Sequence, residues 1–340
     1  MADDFPVGQS ALHPDWPGAE FNVSGMFNYY PVLLNLFKVI EEGFGCRPPV
    51  EAVHGAPSVS WNGGRTPFLS FNAGDLNGIL NDFHSKDIGC FLTFSNHLLE
   101  AGDLNDSTCN FLLDSIALRA DRNGVIVASD RLSNYIAAKH PDLRQIASIV
   151  KTTVEGGRGN AAHYRELGQR FYRYILHPDD CHDPKLLDQL DREKVEILIN
   201  ENCLGECPRR PRHYDAVARA QLFAAANQAV PLQSPFPPGS PMHELEQVAV
   251  ECQADPIIKQ IGLRRRNCNL TRGELKAIYD MGFRHFKIQG RTDKIFTYVY
   301  DLARYTLEPE IAAPLVYKTL CQLIRYSETD EALNYSMRWI

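Results

Sequence analysis

Long apolar runs are missing from this chain: no stretch approaches the roughly 20 consecutive apolar residues of a membrane-spanning helix, so no membrane role is expected. An excess of positive charge is missing as well. The 340 residues carry 35 Lys and Arg against 42 Asp and Glu, for a net charge of -7 and a pI near 5.9. Binding to phosphate backbones normally needs a basic surface, so nucleic acid is not the expected partner, although local basic runs remain able to hold an anion. The segment Met1 to Asp15 has neither the basic start nor the apolar middle of a signal peptide, and a cytoplasmic location is the expectation. Also absent are a nucleophile elbow, a Walker loop and a dinucleotide-binding glycine fingerprint in the strand-to-helix setting each requires. Their absence argues against serine-hydrolase, nucleoside-triphosphatase and Rossmann readings.

What is present is an ordinary globular composition, with 44% apolar and 23% charged residues, enough to bury a large core. Short β-type runs recur with amphipathic stretches between them. Phe21 to Ser24, Val50 to Val53, Cys90 to Phe94, Gly124 to Ala128, Gln145 to Val150, Tyr172 to Leu176, Val195 to Ile199 and His285 to Ile288 read as strands. Helical stretches such as Pro31 to Phe44 and Asp75 to Lys86 alternate with them. Helix starts are marked by Asp130, by Asp183-Pro184 and by Thr271, which stands three before Glu274 as a capping box. The rhythm predicts an α/β fold, a TIM-like (β/α)8 barrel over residues 1–340, a size compatible with the roughly 250 residues such barrels commonly need. Two stretches interrupt it: the Gly-rich segment Ser58 to Pro67, and a long insertion between strands seven and eight, residues 208–269. A long loop usually has a task, and this one is expected to cover the site. Residues 309–340 read as a C-terminal helical extension that could dock a partner through Trp339.

Nine cysteines, an odd number scattered through a chain without an evident export signal, suggest thiols or metal ligands rather than disulfides. In Val195 to Pro208 a hydrophobic strand runs into a polar turn carrying Cys203 and Cys207. A three-residue spacer containing Gly205 lets both thiols turn toward one point, as a metal ion or an iron-sulfur cluster requires. Arg209, Arg210, Arg212 and His213 follow, and Arg264 to Arg266 precede Cys268; such cations lower thiol pKa values. Cys252 and Cys268 are the candidate third and fourth ligands, with Cys46, Cys181 and His54 competing for the fourth place. Cys90, Cys109 and Cys321 read as core.

The run Ile199 to His213, with Phe286-Lys287-Ile288-Gln289-Gly290-Arg291 downstream, resembles the collagenase-like peptidase barrel family, which includes oxygen-independent ubiquinone and RNA hydroxylation proteins. The segments Trp61 to Arg65, Leu92 to Asn96 and Asn105 to Asn110 resemble a less characterised branch of it. The resemblance implies a 4Fe-4S cluster held by four cysteines, here Cys203, Cys207, Cys252 and Cys268. Two departures are visible: Gln289 replaces the Glu usual in the family's Lys-Ile-Glu-Gly-Arg sequence, and His54 follows Glu51-Ala52-Val53 where the ubiquinone-hydroxylation member has a cysteine.

Barrel geometry aims strand-end residues at a common pocket, which nominates Asn22, His54, Asn96, Lys151, His177, Asn200, Glu201, Lys287 and Arg291. Lys287, Arg291, His54 and Glu201 are the catalytic candidates, with Lys287 and Arg291 placed to orient a carboxylate. Asn22, Arg65, Asn96, Lys151, His177 and His213 are candidates for binding substrate, and Asn62-Gly63-Gly64-Arg65 for a lid over an anion. The expectation is an iron-sulfur enzyme that carries out oxygen-independent hydroxylation, or a related redox modification, on a small anionic or aromatic substrate. A zinc-dependent hydrolase and a non-enzymatic cluster-binding subunit of a partner enzyme stay open as alternatives, as does a dimer.

Overall fold

In the computed structural model the described residues are 12–64, 75–227, 236–254, 267–290 and 295–327. Eight parallel strands close into a barrel: β1 (Glu20–Ser24), β2 (Ala52–Gly55), β3 (Gly89–Phe94), β4 (Gly124–Val127), β5 (Arg144–Ala147), β6 (Arg173–Ile175), β7 (Val195–Leu198) and, last, β10 (His285–Ile288), which pairs with both β7 and β1. Each predicted strand appears. The second runs from Ala52 to Gly55, two residues later than expected, although Glu51 already bonds Phe21 O and Gly89 N through its backbone. The fifth ends at Ala147, because the Ser148 side chain accepts from Val150 N and starts a helix through the apolar run that follows.

The helices are α1 (Tyr30–Phe44), α2 (Leu76–Ser85), α3 (Ser107–Ala117), α4 (Asp130–Lys139), α5 (Ile149–Val154), α6 (Ala161–Arg170), α7 (Pro184–Leu187), α8 (Arg210–Ala226), α9 (Pro241–Ala254), α10 (Arg272–Asp280), α11 (Ile295–Thr306) and α12 (Pro309–Ser327). Local chemistry sets their ends. Pro31 opens α1 and Gly45, at φ 65°, closes it. Thr271 and Glu274 form the expected capping box on α10, and Asp183 caps α7. Ser129, one residue before the predicted Asp130, caps α4. No helix among the described residues is long and apolar enough to cross a membrane.

Strand periodicity divides the side chains into two cores. One face of each strand, including Phe21, Val53, Leu92, Val127, Tyr174, Ile197 and Phe286, packs outward into the main hydrophobic core. The other face fills the barrel, where Ala52, Phe91, Ile126, Ile146, Ile175 and Leu198 form a separate cluster. At the N-terminal end of the strands, Arg173 reaches Glu20 at 3.0 Å and Glu51 at 3.3 Å, with His285 Nδ1 2.7 Å from Glu20. Glu20, Glu51 and His285 bring ligand-type atoms within 4.8 Å of one another, but the Arg173 guanidinium already supplies their counter-charge. This layer closes the barrel floor.

Between β7 and β10 the chain leaves the barrel. β8 (Asn200–Leu204) and β9 (Asn267–Asn269) form an antiparallel ribbon that places Asn200 opposite Asn269 and Glu201 opposite Cys268, with a bulge before Leu204. Helices α8 and α9 pack against each other.

Candidate functional site: the barrel mouth and its cysteine ribbon

At the C-terminal end of the strands, where barrel enzymes keep their chemistry, lies a cavity of about 80 Å³. Its lining has two halves. Ile126, Ile149, Val150, Ile175 and Leu198 form an apolar wall, and His54, Thr93, Ser95, Glu201, Lys287 and Gln289 a polar one. Tyr214 of α8 also lines it and packs on Ala128 and Val150, so the insertion roofs the mouth.

Beneath the polar wall is a buried network. Asn22 Nδ2 donates to Glu196 Oε1 at 3.3 Å, Asn22 Oδ1 faces His54 Nδ1 at 2.8 Å, and Lys287 Nζ lies 3.5 Å from Glu196 Oε1. An amide oxygen only accepts, so His54 carries a proton on Nδ1 and donates it to Asn22. Glu196 is 1% exposed and its Oε2 has no hydrogen-bond partner among the described residues. Lys287 is the cation beside this deeply buried carboxyl group, and a buried charge needs such a partner.

The ribbon forms the adjoining rim. Cys203 N donates to Glu201 Oε1 at 2.8 Å, as does Gln289 Nε2 at 3.1 Å. Cys203 sits in the bulge, and Glu206, at φ 55°, turns the chain before Cys207. The expected turn is therefore made at Glu206 rather than at Gly205, with Arg158 holding the Glu206 carboxylate at 3.1 Å.

Arg210, 3% exposed, organises the space behind the ribbon. It donates to Leu204 O at 2.7 Å, to His177 Nε2 at 2.8 Å, to the Asp179 carboxylate at 3.3 and 3.4 Å and to Cys268 Sγ at 3.6 Å, and it feels the charge of Cys203. The Cys268 thiol donates to Asp179 Oδ1 at 3.1 Å. Burial pushes the Cys268 thiol up, and Asp179 adds to the effect. Burial would also raise Asp179, but Arg210 and the Cys268 thiol together hold its carboxyl below the usual range. Burial, then the Arg210 charge, depresses His177 to about 4. Arginine has no lone pair to offer, so neutral His177 must accept through Nε2.

Cys203, Cys207 and Cys268 belong to the ribbon and its turn. Cys252 lies on α9, where the preceding residue, Glu251, is tied to the start of α8 by Arg209 (3.3 Å to its carbonyl) and Arg212 (2.9 Å to its carboxylate); its side chain lies outside the described residues. Cys181 is buried nearby, its thiol 3.8 Å from His177 O. Cys46, by contrast, bonds Phe44 O beyond the other side of the barrel, and Cys321 is only half-buried rather than core. Among the described residues no three of these thiols and their His or Asp neighbours come within 4.8 Å of one another. A cavity of about 730 Å³, lined by Asp179, Gly205, Glu206 and Cys268, opens beside the ribbon.

Other candidates fall elsewhere. Asn96 does not reach the mouth: its amide holds Ser60 O and Ala218 O, and its oxygen caps Leu98 N. Lys151 is buried between Asp130 at 2.7 Å and Glu155 at 2.5 Å. Asn200 clamps Gln289 and Asp301, fixing the ribbon to the end of β10. His177 serves the Arg210 cluster, and His213 is half-buried on α8. The described part of the Gly-rich segment lines the mouth, with Gly64 N bonded to Asn62 Oδ1 and Asn96 N to Trp61 O. Arg65, Arg291 and Trp339 lie outside the described residues. Sequence reasoning missed Glu196, Thr93, Asp179 and Tyr214. Of these only Glu196, an acid inside an apolar strand at an inward position, carried a local signal.

No protein-family model matches the chain, and no curated protein does. A solved structure, that of the U32 peptidase Mk0906, is similar with a TM-score of 0.49 at 10% identity, covering 85% of this chain and 96% of that one.

Proposed function

We propose that this barrel is an iron-sulfur enzyme that carries out a redox modification, by class an oxygen-independent hydroxylation, on a small anionic molecule held in its mouth. The observation that carries the reading is the ribbon: it brings Cys203, Cys207 and Cys268 to the rim, beside a helix bearing Cys252, and joins that rim to the cavity through the Cys203–Glu201 bond. The donor set fits a cluster better than a single zinc ion, which would draw at least three ligand atoms into one tight tetrahedron; the thiols stand further apart than that. Arg210 is buried between Cys203 and Cys268 and would offset the negative charge of a thiolate-held centre.

A cluster bound there would supply one-electron chemistry at the edge of the mouth. The chain's own residues would do the rest. Lys287, anchored by Glu196, turns an ammonium toward the anionic end of the substrate. His54, oriented by Asn22, is the imidazole on the polar wall, the apolar wall seats the body, and Tyr214 covers the opening. The oxygen donor and electron acceptor would come from outside the chain.

The reading is tested by anaerobic purification followed by assay of iron, acid-labile sulfide and zinc. Iron and sulfide in equal amounts with a brown chromophore are expected. A colourless protein holding zinc would replace the reading with metal-assisted hydrolysis, and one holding neither would leave a scaffold.

A further inference from the structure

Among the described residues the mouth holds a buried carboxylate whose donors are all neutral and a buried hydroxyl without a partner. Glu201 is 6% exposed and lines the cavity. Its two donors, Cys203 N and Gln289 Nε2, are neutral and both close on Oε1. Among the described residues no cation forms an ion pair with this carboxylate, and neither donor closes on Oε2. Thr93, 4% exposed on the same cavity, has an Oγ1 without a partner. Lys287 is differently placed, since Glu196 already offsets it from below. Among the described residues, Glu201 is therefore the carboxylate at the mouth without a cation beside it, and burying a carboxylate without a counter-charge is costly.

We infer that the substrate carries a primary ammonium group, seated on Glu201 Oε2, in addition to the anionic group turned toward Lys287, so that its class is a small aliphatic α-amino acid. This rests on the reading that the mouth binds substrate through Lys287, and adds the second charge. A charge-assisted bond from an ammonium to Oε2 satisfies the carboxylate, and the Thr93 hydroxyl donates to or accepts from the same polar head. The side chain then lies on Ile126, Ile175 and Leu198. A cavity of about 80 Å³ holds roughly six water-sized groups, about the heavy-atom count of alanine, so the shortest side chains fit best.

The test is calorimetric titration of the full chain with L-alanine, L-valine and L-leucine. Each is matched with the acid that lacks its amino group (propanoate, 3-methylbutanoate, 4-methylpentanoate) and with the amine that lacks its carboxylate (ethylamine, 2-methylpropylamine, 3-methylbutylamine). At least one amino acid is expected to bind about tenfold or more tighter than its matched acid, as one charge-assisted bond provides. In Glu201→Gln, whose amide oxygen still accepts from Cys203 N, that ratio falls to near one while the acid keeps its own affinity. A thermal melt of the variant establishes that it is folded. Acids that bind as tightly as amino acids at all three chain lengths, a ratio unchanged in Glu201→Gln, or no binding by any compound would overturn the inference. Amines that bind as tightly as amino acids would sustain the ammonium seat and strike instead at the anionic contact of the proposed function. The metal content of the protein bears on that function and not on this ratio.

Discussion

The backbone N–H of Cys203 donates to the side chain of Glu201 at 2.8 Å, across a bulge in a ribbon that stands outside the barrel. One short bond thus joins a thiol-bearing strand to the wall of the mouth. Glu201 also accepts from Gln289 at the end of β10, and Asn200 holds the same strand end. The start of the cysteine-bearing strand is thus tied to the end of β10, with Glu201 lining the cavity.

The Glu196 and Lys287 pair allows a direct energetic test. Lys287→Met leaves Glu196 buried without its cation and is expected to destabilise the protein by about 3 to 5 kcal/mol. Adding Glu196→Gln to Lys287→Met removes the stranded charge, so the double variant should be more stable than Lys287→Met alone. Urea unfolding of the four proteins measures the coupling. Strictly additive losses would show that the two groups do not compensate each other.

His177 makes stability depend on pH. Its folded value is lowered to about 4 from a reference of 6.5, because burial and Arg210 oppose its protonation. Between those values the unfolded chain binds a proton that the folded protein refuses. Its contribution is therefore fully present above pH 6.5 and is lost as pH falls toward about 4. His177→Asn should flatten this part of the profile, measured as urea midpoints from pH 7.5 down to pH 4.5. An unchanged slope in the variant would assign the acid sensitivity to other groups.

Gly63 is fixed by close approach. A Cβ there would stand 2.2 Å from Ser95 O and 2.6 Å from Asn96 N, both backbone atoms that cannot swing away. Gly63→Ala should cost about 2 kcal/mol or more by overpacking and lower the melting temperature. Gly102→Ala, where the added carbon meets nothing within 4 Å, should leave it nearly unchanged. Equal melting temperatures in the two variants would mean that the Asn62 to Gly64 wall yields.

The barrel was legible because its strands alternate one apolar outward face with an inward one, and because turn and capping residues bracket them. The site was legible only in part. Cys203 and Cys207 are neighbours in sequence, so their rim position could be read from where the strand ends. Asp179 and Arg210 meet Cys268 across long stretches of chain, and nothing local announces such a meeting. Glu196 was passed over because its apolar neighbours make the segment read as plain strand, although an acid at an inward position is what a buried lysine calls for. Asn96 and Lys151 were nominated from strand ends alone. The structure commits them to loop carbonyls and to a local ion-pair network, which strand position cannot distinguish from a site.

The most direct measurement is the iron and acid-labile sulfide bound per chain by Cys203→Ala/Cys207→Ala, purified anaerobically beside the unaltered protein and beside Cys90→Ser, whose thiol is sealed in the outer core. The account predicts iron, sulfide and visible absorbance in the unaltered protein and in any folded Cys90→Ser, and their loss from the double variant while its barrel still melts cooperatively. Iron retained in full by the double variant would contradict it.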